Sequence, residues 1–284
     1  MSPIQQMLLG AGAVATKTYV DDIFSTYVYT GTNSQRTLNV GIDFATKGGA
    51  TFIKNRTDSD AGDARWCVFD TVRGNGYLLH TNNNDAQSQS LARQNNFSTT
   101  GFTVGAENET NGNNDEMASF NFRKAKGFFD VVTWTGDGSS NRQISHSLSS
   151  IPGLILVKKT SGTDNWNVYH RSAHATSPED YRLFLNTTAA ASTNDAVWNE
   201  TKPTSSNFTV GSNDQVNGNG KSYVAYVFAG GESTAATATS CNFLGTSANA
   251  DNNKINVGTT TGTKTADLVY GTGDFTIEAW IKCE

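Results

Sequence analysis

Cysteine, proline and charge are all scarce in this chain. The three cysteines among 284 residues, Cys67, Cys241 and Cys283, are too few for a disulfide framework, and Cys67 sits inside the apolar run Trp66-Cys67-Val68-Phe69. They read as reduced thiols of a protein made in a cytoplasm. Charged residues make up 17% and the net charge is −5, so the chain lacks the basic balance that a phosphate backbone demands. The short cluster Arg123-Lys124-Ala125-Lys126 reads as a solvated junction. No apolar run approaches the ~18 residues of a membrane-crossing helix. The opening MSPIQQMLLGAGAVA ends on small residues as a signal peptide does, but no Lys or Arg precedes its apolar part, which argues against secretion. Neither nucleic acid nor membrane is an expected partner.

Motifs that carry chemistry are equally sparse. The sequence has no nucleophile elbow, no phosphate loop and no Cys/His pairing with supporting context. His170 and His174 stand four apart, but they lie in a strand and a loop with Pro178, without the intervening glutamate of a zincin. The stretch Asp58-Ser59-Asp60-Ala61-Gly62-Asp63 is rich in oxygen, yet Phe69 stands where an EF-hand places its bidentate glutamate. The expectation is therefore no catalytic residue, no metal and no cofactor, and a chain that is not an enzyme. A glycosidase pair is a separate matter, because its two carboxylates converge in space and leave no local spacing to read. Tryptophans at strand positions are more often core than sugar platforms. Trp198, in the polar stretch Val197-Trp198-Asn199, is the candidate glycan contact.

Glycine is abundant, 27 residues against 4 prolines, and with Asn, Thr and Ser it gives the composition of β-rich proteins with many turns. An internal repeat organises the chain about the seam Phe120–Gly138. Thr51-Phe52-Ile53-Lys54 is answered by Leu154-Ile155-Leu156-Val157-Lys158, and Trp66 by Trp166. Gly101-Phe102-Thr103-Val104-Gly105 answers Asn207-Phe208-Thr209-Val210-Gly211, and an Asn-Gly pair follows each, at Asn111-Gly112 and Asn217-Gly218. Each copy ends on an aromatic strand, Phe120-Asn121-Phe122 or Tyr226-Val227-Phe228. The short, turn-bounded runs predict an all-β chain of tandem antiparallel sandwich-like modules. The first module spans 27–129 and the second 130–229, followed by a linker over 230–241. A segment at 242–284 reads as the start of a jelly-roll-like domain, cut short. Alternation places Ala118, Phe120 and Phe122 on one covered face, with Ser119 on the wet side. The strand Ser222–Ala229 is apolar on both faces and is expected to be buried more deeply than its counterpart.

Residues 1–26 form an N-terminal anchor in this reading. Thr18 caps a short helix over Tyr19–Phe24, and Met7, Leu8, Leu9, Val14, Tyr19, Val20, Ile23 and Phe24 are apolar positions with nothing in their own chain obliged to cover them. They are the expected attachment and oligomer contacts. The opening segment, the run Phe69-Asp70-Thr71-Val72-Arg73-Gly74, the seam from Phe122 to Val132, and Ile144-Ser145-His146-Ser147-Leu148 through Val168-Tyr169-His170-Arg171 resemble tail-fibre-like structural proteins of marine bacteriophages, the cyanophage type. Asn242–Lys282 resembles the opening of a concanavalin-like or laminin-G-like domain. The resemblance implies a virion location after synthesis in the host cytoplasm, and a fibre that docks on an adaptor, nozzle or baseplate protein. It also implies a homotrimer of sister chains and contact with a host surface glycan. The alternatives are a stand-alone carbohydrate-binding module and, less favoured, a glycan depolymerase spike.

Overall fold

In the computed structural model, which describes residues 18–57 and 64–231, all elements belong to one compact unit that runs to Gly231. Met7, Leu8, Leu9, Val14, the acidic stretch 58–63 and the segment from 232 onward lie outside the described residues. The first half forms β1 (Phe24–Thr30), β2 (Arg36–Asn39), β3 (Gly49–Asn55), β4 (Trp66–Asp70), β5 (Tyr77–His80), β6 (Ser88–Gln89), β7 (Gln94–Phe97), β8 (Gly101–Val104) and β9 (Glu116–Arg123). The second half forms β10 (Phe129–Thr135), β11 (Arg142–Ser145), β12 (Pro152–Lys159), β13 (Asn167–His170), β14 (Tyr181–Phe184), β15 (Ser192–Thr193), β16 (Asn207–Val210) and β17 (Ser222–Ala229). The large sheets run β1-β9-β3-β4-β5-β6 and β10-β17-β12-β13-β14-β15, and the small ones β2-β8-β7 and β11-β16. The chain is all-β, built of antiparallel sandwich-like modules.

Strand order is the same in the two large sheets, and so is the register: Phe24 faces Phe122 as Phe129 faces Phe228, and Ile53 faces Cys67 as Val157 faces Asn167. Trp66 opens β4, and Trp166 stands one place before β13, so the two tryptophans are equivalent. The Asn-Gly pairs read as turns are buried clamps instead. Asn111 and Asn217 end one-turn helices, Asn108–Asn111 and Asp214–Asn217. Their amide nitrogens donate to Ser34 O at 2.7 Å and Ser139 O at 2.8 Å, and their side-chain oxygens accept from the backbone of Thr32 and Asp137. Each clamp thereby satisfies backbone groups in the loop that leaves the first strand of its module. That loop comes so close that a Cβ at Gly31 would lie 1.8 Å from Gly112 O, and one at Gly136 2.1 Å from Gly218 O, which no other residue tolerates.

Each module buries a core between its large and small sheets. Ile53, Phe69, Phe102 and Met117 belong to the first, and Val157, Tyr169, Phe208 and Ala225 to the second. A third core lies between the modules, where Val68, Leu79 and Phe52 of one large sheet meet Leu156, Val168 and Tyr226 of the other. The two large sheets thus use both faces, and β17 is buried along nearly its whole length. β9 is covered less, because part of its outer face extends beyond this contact.

Two expectations are corrected here. Ser119 is buried and Phe120 is 38% exposed, the reverse of the alternation reading. The inner face of β9 tolerates polar groups because they satisfy one another: Thr51 Oγ1 donates to Asn121 Oδ1 at 2.8 Å, and Asn121 Nδ2 donates to Ser119 Oγ at 3.1 Å. The helix expected over Tyr19–Phe24 shrinks to the turn Val20–Ile23, which buries nothing. So short a helix is marginal, whereas pairing with β9 from Phe24 onward gives a seven-residue ladder. Phe24 is tied into its own chain with its ring 5.0 Å from Phe122. Phe122 packs on Phe24, Phe52 and Phe228 at the edge of the third core. Phe122→Ala is predicted to cost about 3 kcal/mol, and Val28→Ala on the open part of the same face less than about 0.5 kcal/mol. Urea unfolding of both variants measures the difference, and equal losses would reject this assignment of faces.

Candidate functional site

The region where the modules meet holds a buried polar network. β4 ends at Asp70, and the turn that follows carries Arg73, with Gly74 in the left-handed region at φ 95°. Asp70 Oδ1 accepts the backbone N–H groups of Val72 and Arg73 at 3.0 and 2.8 Å. Its Oδ2 accepts Arg73 Nε at 2.5 Å and the Tyr226 hydroxyl, reaching over from β17, at 2.8 Å. Arg73 Nη2 donates to Val68 O at 3.1 Å and to the Tyr226 oxygen at 3.0 Å. The ion pair is almost wholly out of solvent. Burial disfavours the Arg73 charge, but Asp70 and Tyr226 outweigh it and hold the guanidinium above its ordinary value, while burial drives the Tyr226 hydroxyl well up. The Tyr226 hydroxyl stays a neutral donor.

Beside this network a cleft of about 450 Å³ opens between the modules, with Arg73, Tyr77 and Gln87 on one wall and Thr133, Thr160 and Ser222 on the other. Arg73 Nη1 and Gln87 Oε1 have no hydrogen-bond partner. The lining offers hydroxyls, an amide, a guanidinium and the rings of Tyr77 and Trp134, groups that recognise a polyhydroxylated ligand. It includes no Asp or Glu, so the carboxylate pair of a glycosidase is not presented there. The loop 81–87 frames the cleft through bonds to the second module: Gln87 N–H to Thr160 O at 3.1 Å, Asp164 N–H to Asn84 O at 2.8 Å, and Trp166 Nε1 to His80 O at 2.8 Å.

A second feature is the open part of the first module's outer face. Trp66 stacks on Phe120 at 5.2 Å, as Trp166 stacks on Tyr226 at 6.0 Å. The second pair is buried by the opposite module, and the first is left partly open. Val28, 66% exposed, adjoins it on β1, the outermost strand of its sheet, and β1 carries no charged residue. An uncharged edge with apolar side chains, unpaired among the described residues, is a template for another chain.

Of the residues singled out from sequence, Tyr19 and Val20 are exposed at 62% and 70%, whereas Ile23 and Phe24 are half-buried against their own module. Trp198 is corrected: it is 2% exposed and packs edge-on against Tyr169 at 5.9 Å. The one-turn helix Asp195–Trp198 turns its ring into the core, so it is not available to a glycan. His170 and His174 are exposed in strand and loop, where their Nδ1 atoms accept backbone N–H groups from Ser172 and Ser177. The basic cluster at the seam is not simply solvated, since Lys124 Nζ pairs with Asp130 at 2.8 Å. Asp70 and Arg73 escaped the sequence reading, although their spacing of three around a turn-forming Thr-Val-Arg-Gly run was a usable signal.

The fold and the contacts between modules define a tandem β-sandwich protein. Residues 20–259 match the family described as a domain of unknown function, DUF7483, and the chain belongs to that family. No curated protein and no solved structure matches it.

Lys158 tests how tightly the modules close. Its ammonium is buried, donating to Asn84 O at 3.3 Å and Lys159 O at 2.9 Å, and burial brings its pKa down from 10.5 to about 8. The folded state therefore binds fewer protons than the unfolded chain between these values, and stability rises with pH from about 8 to 10.5. Lys158→Met is predicted to flatten that rise and to add about 1–2 kcal/mol at pH 7, measured by urea midpoints across the range. An unchanged slope would mean that the ammonium is solvated.

Proposed function

We propose that the chain is a virion structural protein, a tail-fibre subunit whose N-terminal end docks on an adaptor, nozzle or baseplate protein of a phage tail and whose modules extend toward a distal receptor-binding region. The observation that carries this reading is the open face of the first module. The equivalent face of the second module is covered by a β-sheet, so the Trp66–Phe120 stack and Val28 have the shape and chemistry to receive one too. The occupant is a sister chain, in keeping with a homotrimer, and exposed Tyr19 and Val20 extend the contact toward the apolar segment at 7–14. Two modules locked by a shared core make a stiff spacer, which suits a fibre that transmits force. A second reading has one supporting observation: the polar cleft, where Arg73 Nη1 and Gln87 Oε1 lack partners, favours binding of a host surface glycan.

Phe120→Lys and Val28→Lys are predicted to convert the oligomer to monomer in light scattering without loss of fold, since both sites are open in the single chain. Deleting residues 1–17 is predicted to leave the modules folded and to abolish incorporation into particles. Truncated protein that copurifies with virions at normal copy number would defeat the anchoring role and favour the glycan-binding reading.

A further inference from the structure

Three side chains of the first module that are unrelated to either surface converge in its interior. Cys67 from β4, His80 from β5 and Glu109 from the one-turn helix Asn108–Asn111 bring a sulfur, a ring nitrogen and a carboxylate oxygen within 4.8 Å of one another. His80 Nε2 lies 3.0 Å from Glu109 Oε1, and the other carboxylate oxygen is held by Arg93 Nε. Cys67 is buried and the side chains of His80 and Glu109 nearly so.

The second module supplies an internal comparison. By register, Asn167 stands where Cys67 does and Phe184 where His80 does, while helix position equates Gln215 with Glu109. Gly105 and Gly211 abut Ala92 and Ala196, so Val197 is the equivalent of Arg93. All four positions differ together, and the second module builds the same six-stranded large sheet without them, while its small sheet has two strands rather than three. The fold has no need of the set as a set.

We propose that Cys67, His80 and Glu109 are ligands for a divalent transition-metal ion of the zinc class, with water in the fourth position. Two ligands about 2.0–2.1 Å from a tetrahedral zinc are roughly 3.3 Å apart, so the His80 and Glu109 atoms need only a few tenths of an ångström of adjustment. Arg93 on the distal carboxylate oxygen is the kind of outer partner that orients a metal-bound carboxylate. Glu109 is poised as an anion: burial opposes its charge, but His80 and Arg93 together hold its carboxyl below the ordinary value. Burial drives the Cys67 thiol up, Glu109 adds to this, and Arg93, Arg65 and Lys54 pull the other way. A bare thiol there is protonated, so metal binding releases the thiol proton to solvent, and any proton that His80 Nε2 shares with Glu109 has to shift to Nδ1 or leave before that nitrogen binds. A nucleophilic role for Cys67 is disfavoured by its burial.

The test uses the full chain with Cys241→Ser and Cys283→Ser, so that Cys67 is its only thiol. The chelator-treated protein is titrated with Co²⁺, both folded and during refolding from urea. The expected result is one Co²⁺ per chain with a sulfur-to-cobalt charge-transfer band, displaced by Zn²⁺ and lost in Cys67→Ser. His80→Phe and Glu109→Gln, which install the second module's residues, are expected to weaken binding at least about tenfold. A folded chain that shows no such band by either route, or a band that survives Cys67→Ser, would overturn the proposal.

Discussion

The buried Asp70–Arg73–Tyr226 network is the interaction on which the arrangement of the two modules depends. A guanidinium and a carboxylate removed from water are costly unless they are engaged, and here a hydroxyl from the other module bonds to both, leaving Arg73 Nη1 as the one guanidinium nitrogen without a partner. The surrounding aromatic and aliphatic side chains exclude water and supply most of the favourable burial. They are non-directional, whereas the network fixes the orientation of one sheet on the other. Loop 81–87 adds backbone bonds across the same boundary.

The halves share one plan and differ in how they use it. Each has a large sheet, a small sheet and an asparagine clamp, and so each has its own core. What differs is the fate of the outer face. The second module spends that face on the first, and the tyrosine of the Trp166–Tyr226 stack became part of the ion-pair network. The first module keeps Trp66, Phe120 and Val28 partly open. Lys54 and Lys158 show the same divergence in small: the former reaches Ala64 in its own loop, the latter Asn84 of the other module.

Much of the fold was legible in the sequence because landmarks such as the Trp66 and Trp166 strands and the apolar runs ending in Lys54 and Lys158 are set by local pattern. The double-sided apolarity of Tyr223–Phe228 foretold a strand covered on both faces. Other features depend on distant partners and leave no local trace. Ser119 is inside because Asn121 and Thr51 satisfy that face, and Trp198 is inside because a one-turn helix rotates it there. The network lies 153 residues apart between Arg73 and Tyr226, and Cys67, His80 and Glu109 meet only through strand pairing and a helix packed over it. Proximity of this kind is a property of topology.

The two modules form one cooperative unit through the core they share. Native-state hydrogen exchange on the full chain tests it most directly, because amides in β3 and β9 report opening of the first large sheet and those in β12 and β17 of the second. The account predicts one opening free energy for both sheets, lowered equally by Tyr226→Phe. Two separate values, with Tyr226→Phe weakening only the second sheet, would contradict it and leave the modules as independent beads.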